Sequence, residues 1–206
     1  MYLKNFFKHL KTITRHRHMV MKYCFKCGMY KQGLLHDLSK YSPTELFTSV
    51  KYYVGTSSPI NFERKENKVS KVWLHHKGRN MHHPEYWIDK SLESGLYEPT
   101  VIPFKYIAES VLDRIAAAKN YNKKNFIRYD VKHYYLKEEK TIPMCNIVKN
   151  IFRILLNFYV LYGEDDLFRL IKLLNKSSYD TEKVFQLLKT HKASKDVELL
   201  TIKKDK

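Results

Sequence analysis

Apolar side chains recur at helical spacing over long stretches of this chain, and no segment sustains the two-residue alternation of a half-buried strand. Phe6, Leu10, Ile13, Val20, Cys24 and Cys27 mostly share one face of residues 4 to 30. Ile107, Val111, Ile115 and Ala118 form a stripe between Phe104 and about Tyr121. The pattern predicts an all-α protein, a single-domain helical bundle. Ser42-Pro43-Thr44-Glu45 reads as a helix start, with a capping serine, proline at the first helical position and a glutamate three residues on. A short buried helix is expected over Leu34 to Leu38 after a break at Gly33. A longer one is expected from about Asn61 to His76, ending at Gly78. Further helices are expected near 143 to 162, 164 to 175 and 180 to 190. KGRNMHHPEYW reads as a loop with a short helical turn, and Leu92 to Pro103 as irregular. One domain over residues 1–206 is the expectation, with its chemistry at about 10–122, supporting helices at about 123–200 and a basic tail.

A hydrophobic content of 44% over 206 residues is enough for a continuous core. No apolar run approaches the roughly 20 residues of a membrane span, and MYLKNFFKHLKTITRHRH lacks the apolar centre of a signal peptide. Three cysteines give no disulfide framework. A soluble, cytoplasmic protein without a membrane partner is therefore expected. The formal charge of +17 favours anionic partners. Lysine supplies 30 of the 38 basic residues, whereas the fork that reads phosphates and bases belongs to arginine. A small phosphorylated substrate is thus expected ahead of nucleic acid, which stays open as a partner. Cys24 and Cys27 have CxxC spacing but fall mid-helix, outside the context of a redox motif. No glycine-rich phosphate loop is present.

The chemistry-bearing residues centre on His36-Asp37 in LLHDLSK. Imidazoles and carboxylates ligate divalent metals, and a metal in a bundle core satisfies charges that are otherwise costly to bury. His16, four residues before Val20, faces inward on the first helix, and is preferred to His18. Asp113 lies in the helical run AESVLDRIAAAK, and HHKGRNMHHPEYW supplies His75, His76, His82 and His83. Adjacent helical residues point about 100° apart, so one of His75 and His76 is expected to ligate; His76 is closer to the loop. His82 and His83 lie in the loop, where both can turn inward, and Glu85 can orient one of them.

The order H…HD…D, here His16, His36, Asp37 and Asp113, resembles the HD superfamily of metal-dependent phosphohydrolases over roughly residues 10 to 120. HDLSKYSPTE followed by WLHHKGRNMHHPEYW is also similar to a smaller bacterial and viral family related to HD proteins. The resemblance implies one or two divalent ions (Mn, Fe, Mg or Zn) held by His16, His36, Asp37, His76, His82, His83 and Asp113. It implies hydrolysis of a phosphomonoester or phosphodiester, of a nucleotide or related molecule, by a metal-activated water. Asp37 is then both ligand and proton acceptor, and Lys40, Arg79 and Asn80 are the phosphate clamps. Glu45 is a base or an outer-sphere group, or simply completes the capping box. Tyr41, Tyr52, Tyr53, Trp73, Tyr86 and Trp87 can stack on a base or pack the core. Two other readings remain open: a di-iron, oxygen-dependent enzyme on a similar scaffold, and a basic binding protein with a structural metal.

Overall fold

The computed structural model describes residues 2–177 and 180–190. Among them are ten α-helices and one short hairpin: α1 (Tyr2–Lys26), α2 (Tyr30–Leu35), α3 (Pro43–Lys51), α4 (Pro59–Asn67), α5 (Lys71–Lys77), β1 (Ile88–Lys90), β2 (Tyr97–Pro99), α6 (Phe104–Asn122), α7 (Arg128–Glu138), α8 (Asn146–Tyr162), α9 (Glu164–Ser177) and α10 (Thr181–Thr190). The fold is all-α, as the periodicity predicts. The antiparallel hairpin runs only from Ile88 opposite Pro99 to Lys90 opposite Tyr97; β2 falls in the stretch expected to be irregular and β1 just before it. No described helix is long and apolar enough to cross a membrane.

The stripe on α1 explains both its length and its place. His9, Ile13, His16, Val20, Cys24 and Cys27 recur at three- and four-residue steps and are all buried. His16 thus holds a core position, whereas His18 is exposed. Gly33 lies inside α2 and not at a break before a helix. A Cβ there would stand 3.0 Å from the Cys24 Cβ and 3.1 Å from the Met21 carbonyl, so glycine is what lets α2 close on α1. The buried helix expected over Leu34 to Leu38 does not form. Helix α2 ends at Leu35, and Leu34, Leu35 and Leu38 are about half exposed, while His36 and Asp37 are the buried pair. Arg17 fastens this end, donating to the carbonyls of Leu34 (2.5 Å) and His36 (3.2 Å). Asp37 then adopts a left-handed conformation (φ 55°, ψ 23°) that turns the chain away from α2.

Ser42 caps α3 by accepting from the Glu45 N–H at 3.4 Å. The single helix expected over Asn61 to His76 is two helices. The chain breaks at Lys68, left-handed at φ 62°. The Glu63 carboxylate then accepts from the Ser70 hydroxyl and from the N–H groups of Lys71 (3.0 Å) and Val72 (3.3 Å), restarting the chain as α5. No glycine or proline marks this break. Helix α7 escapes the periodicity because only Val131 and Tyr135 on it are buried. The three expected C-terminal helices correspond to α8, α9 and α10, and the lysine-rich tail lies outside the described residues.

The main core joins α1, α6 and α8 to α7, α9 and α10 around Phe104, Ile107, Leu112, Ile115, Phe152, Leu155 and Tyr159. Each such leucine, isoleucine or phenylalanine contributes about 1.5–3 kcal/mol by leaving water. A smaller cluster of Ile13, Leu46 and Val50 ties α1 to α3. On α1, His16 falls between Ile13 of the small cluster and Val20 of the large one.

Candidate metal centre

The buried carboxylate of Asp37 is the meeting point of three helices and a loop. On one side, its Oδ2 lies 3.2 Å from His36 Nε2 and 3.6 Å from His16 Nε2. Asp113 Oδ1, from α6, stands 2.8 Å from His16 Nε2 and 3.4 Å from His36 Nε2. On the other side, Asp37 Oδ1 lies 3.3 Å from His76 Nε2 and 3.7 Å from His82 Nε2. Donor atoms of Asp37, His76, His82 and His83 all fall within 4.8 Å of one another, as do those of His16, His36, Asp37 and Asp113. Two four-residue groups within metal-ligand distance therefore share Asp37. All seven ligands expected from the sequence fall in one or both groups.

The chemistry of this donor set fits a cation. The Nε2 atoms of His16, His36, His82 and His83 and both Asp37 oxygens are buried without a hydrogen-bond partner. Lys40 Nζ stands 2.6 Å from Asp37 Oδ2 as an ion pair, but it reaches only one of the two groups. Apart from the Lys40 contact on Oδ2 and the Asp113 contact on His16, these buried atoms stand without partners, which is costly unless a cation completes them. Nitrogen and oxygen donors of this kind suit Zn, Fe, Mn or a similar ion.

The opposite ring nitrogens are already held. Glu109 Oε1 accepts from His36 Nδ1 at 2.9 Å and lies 3.2 Å from His82 Nδ1. Glu45 Oε2 is 2.9 Å from His76 Nδ1, and its Oε1 is 2.7 Å from His75 Nδ1. A carboxylate beside Nδ1 keeps the proton there and leaves the Nε2 lone pair free for a metal. Glu45 thus does more than mark a helix start, and His75 is spent on Glu45 outside both groups. Glu109 was not anticipated from the sequence. Its signal was present, a glutamate one helical turn before Asp113 on the same face.

The clamps expected in the loop do something else. Arg79 is exposed and donates to the His75 carbonyl at 3.3 Å. Asn80 is buried, but its Nδ2 donates to the His76 carbonyl and to Ser39 Oγ, both at 2.8 Å, so it fastens the loop to α5. Neither lines the cavity beside the centre.

Burial alone would strip the proton from His36, but Asp37, Asp113 and Glu109 outweigh it and hold the imidazole well above its ordinary pKa. His76 is raised likewise, with Asp37 and Glu45 overcoming burial. Burial also opposes the charge on Asp37, yet His36, Lys40 and His76 keep it well below the usual carboxylate range. His83 is pushed down, by burial and then by its neighbours His82 and His76. Lys40 is raised despite burial, by Asp37 and Asp113.

A cavity of about 820 Å³ opens beside the centre, lined in part by His16, Lys40, His76, His83 and Asp113. Of the six aromatic residues considered for stacking, only Trp73 lines it, together with Tyr121 and Tyr134, which were not considered. Tyr41, Tyr52 and Tyr53 instead hydrogen-bond to Thr14, Glu66 and Thr12. Burial pushes the Cys27 thiol up to about 12 and raises Cys24 further, so both stay protonated and unreactive.

Fold and site together define an all-α protein with a buried cluster of histidines and carboxylates at metal-ligand spacing. Residues 5–154 match the model of a family of unknown function (DUF5662), and the chain belongs to that family. All the residues of both groups fall inside the matched region. No curated protein and no solved structure matches the chain.

Proposed function

We propose that the protein is a metal-dependent phosphohydrolase that cleaves a phosphomonoester or phosphodiester of a nucleotide or related small molecule. The observation that carries this reading is Asp37, whose two oxygens face separate groups of unpartnered imidazole nitrogens. The order H…HD…D, with its likeness to the HD phosphohydrolases, supports it. Divalent ions in these groups would activate a water and polarise the phosphoryl oxygens. His16, His36 and Asp113 would hold one ion and His76, His82 and His83 the other, with Asp37 between them. Lys40 is anchored on Asp37 and lines the cavity, where its charge stabilises the negative charge that grows on a phosphoryl group. Glu109 and Glu45 keep the rings oriented. The cavity is of a size that takes a small organic phosphate.

Metal analysis of the wild type beside Asp37→Ala and His36→Ala tests this reading. It should be followed by a screen of nucleotides and phosphodiesters with Mn, Mg, Fe or Zn. The expected result is stoichiometric metal in the wild type, its loss in the variants, and phosphate ester cleavage that follows the metal. Wild type and variants with the same negligible metal content would sink it. The three imidazoles gathered on the second side of Asp37 favour one alternative, oxygen-dependent chemistry at a di-iron pair. Bound iron, with activity lost in anaerobic buffer, would select that alternative.

A further inference from the structure

We propose that Arg64, held over the Trp73 ring, is an anion subsite that binds a second phosphate of the substrate. The inference rests on the phosphohydrolase reading and narrows its substrate to small molecules carrying two phosphates. The Arg64 guanidinium lies 5.5 Å above the Trp73 ring. Trp73 in turn meets the His83 ring edge-on at 4.8 Å and the His76 ring at 5.9 Å. These separations place the guanidinium within about 10 Å of the His83 ring. Arg64, Trp73, His76 and His83 all line the one cavity.

This arginine is free to bind. Among the described residues no carboxylate lies within ion-pair distance of it. Its neighbour Glu63 is turned inward onto Ser70 and the start of α5, and Glu66 is taken by Lys51 and Tyr52. The other arginine of the cavity, Arg114, is engaged by Glu138 and Ser110. A guanidinium held over an indole with no carboxylate partner keeps N–H donors in the fork that matches two phosphate oxygens. Lys40 stands on the Asp37 Oδ2 side of the centre, whereas Arg64 stands beyond His76 and His83. On this proposal the reacting phosphate sits at the centre and the second phosphate at Arg64, on the side of His76 and His83.

The test uses the full chain loaded with Mn, with metal content measured for each variant. Two probes whose C–P bonds resist hydrolysis, propylphosphonate and propane-1,3-bisphosphonate, are titrated into wild type, Arg64→Ala and Arg64→Lys. Wild type should bind the bisphosphonate more tightly than the monophosphonate. Arg64→Ala should weaken the bisphosphonate about ten- to a hundredfold and leave the monophosphonate within about twofold. Arg64→Lys should fall between, because charge is kept and the fork is lost. Arg64 is exposed, so unchanged metal content and circular dichroism are expected in the variants. Equal losses for both probes, or none, would overturn the subsite and leave the phosphohydrolase reading standing. A wild type that takes up none of Mn, Mg, Fe and Zn would overturn both.

Discussion

The two sides of Asp37 are built in different ways. His16, His36 and Asp113 come from α1, the end of α2 and α6, so nearly a hundred residues separate the first from the last. Helices α1 and α6 carry the main core, with Val20 and Cys24 following His16 and Leu112 and Ile115 flanking Asp113. His76, His82 and His83 come from one stretch of eight residues on α5 and the loop after it. That stretch is held by Glu45, Asn80 and the Trp73 contacts, and α3 beneath it carries only the small cluster with Ile13. The first group is therefore as durable as the fold, and the second as durable as its local supports. Loss of metal from the second side alone is the state to look for.

Asp37→Asn gives the largest effect, since one substitution removes the charge common to both sides. Plasma emission analysis should find both ions at background level. An Asp37→Asn protein that keeps one ion at full occupancy would show that Asp37 is not shared. Glu109→Gln comes next, because Glu109 touches His36 on one side and His82 on the other. Chelator competition should show affinity lowered about ten- to a hundredfold on both sides. An effect on one side alone would reassign Glu109 to that side.

Acid should act on both sides through one histidine each. His36 and His76 are held above the ordinary imidazole pKa, so in the metal-free protein each keeps its second proton to a higher pH than a free imidazole does. A cation must displace that proton, and its affinity therefore rises with pH until the raised pKa is passed. Below it, affinity should fall about tenfold per pH unit for each proton displaced. Titration calorimetry in buffers of different ionisation enthalpy counts those protons. Release of none on binding would contradict the assignment of His36 and His76 as ligands.

Most helix positions and the residues of both histidine groups were legible because both depend on local pattern. The α1 stripe alone turns His16 inward and His18 outward, and the HD pair and histidine loop stand out by residue type. What the sequence concealed depends on long-range geometry. The left-handed turn at Asp37 sends its two oxygens to opposite groups, and nothing in LLHDLSK signals that conformation. The fate of Arg79 and Asn80 was hidden for the same reason. Their polarity suggested a clamp, but the loop is closed by Asn80 on the His76 carbonyl, with Arg79 on the exposed side. The place of Arg64 over Trp73 was hidden too, because it depends on the break between α4 and α5, which were expected as one helix.

Two smaller perturbations act on the second side alone. Glu45→Gln should weaken that ion about tenfold through the loss of charge behind His76, with the first ion unchanged. Ser42→Ala tests the same support one step further back. Ser42 caps α3 through the Glu45 N–H, so the residue whose amide is capped is the one whose carboxylate orients His76. Losing the cap should cost about 1 kcal/mol of stability and let the first turn of α3 fray. That turn carries Glu45 but no ligand of the first group. Thermal melts should register the lost cap, and chelator competition should show a loss of less than about tenfold confined to the second ion, since 1 kcal/mol is under one decade in an equilibrium constant. Equal weakening of both ions by Ser42→Ala would mean that α3 supports the whole centre and that the two sides are one cooperative unit.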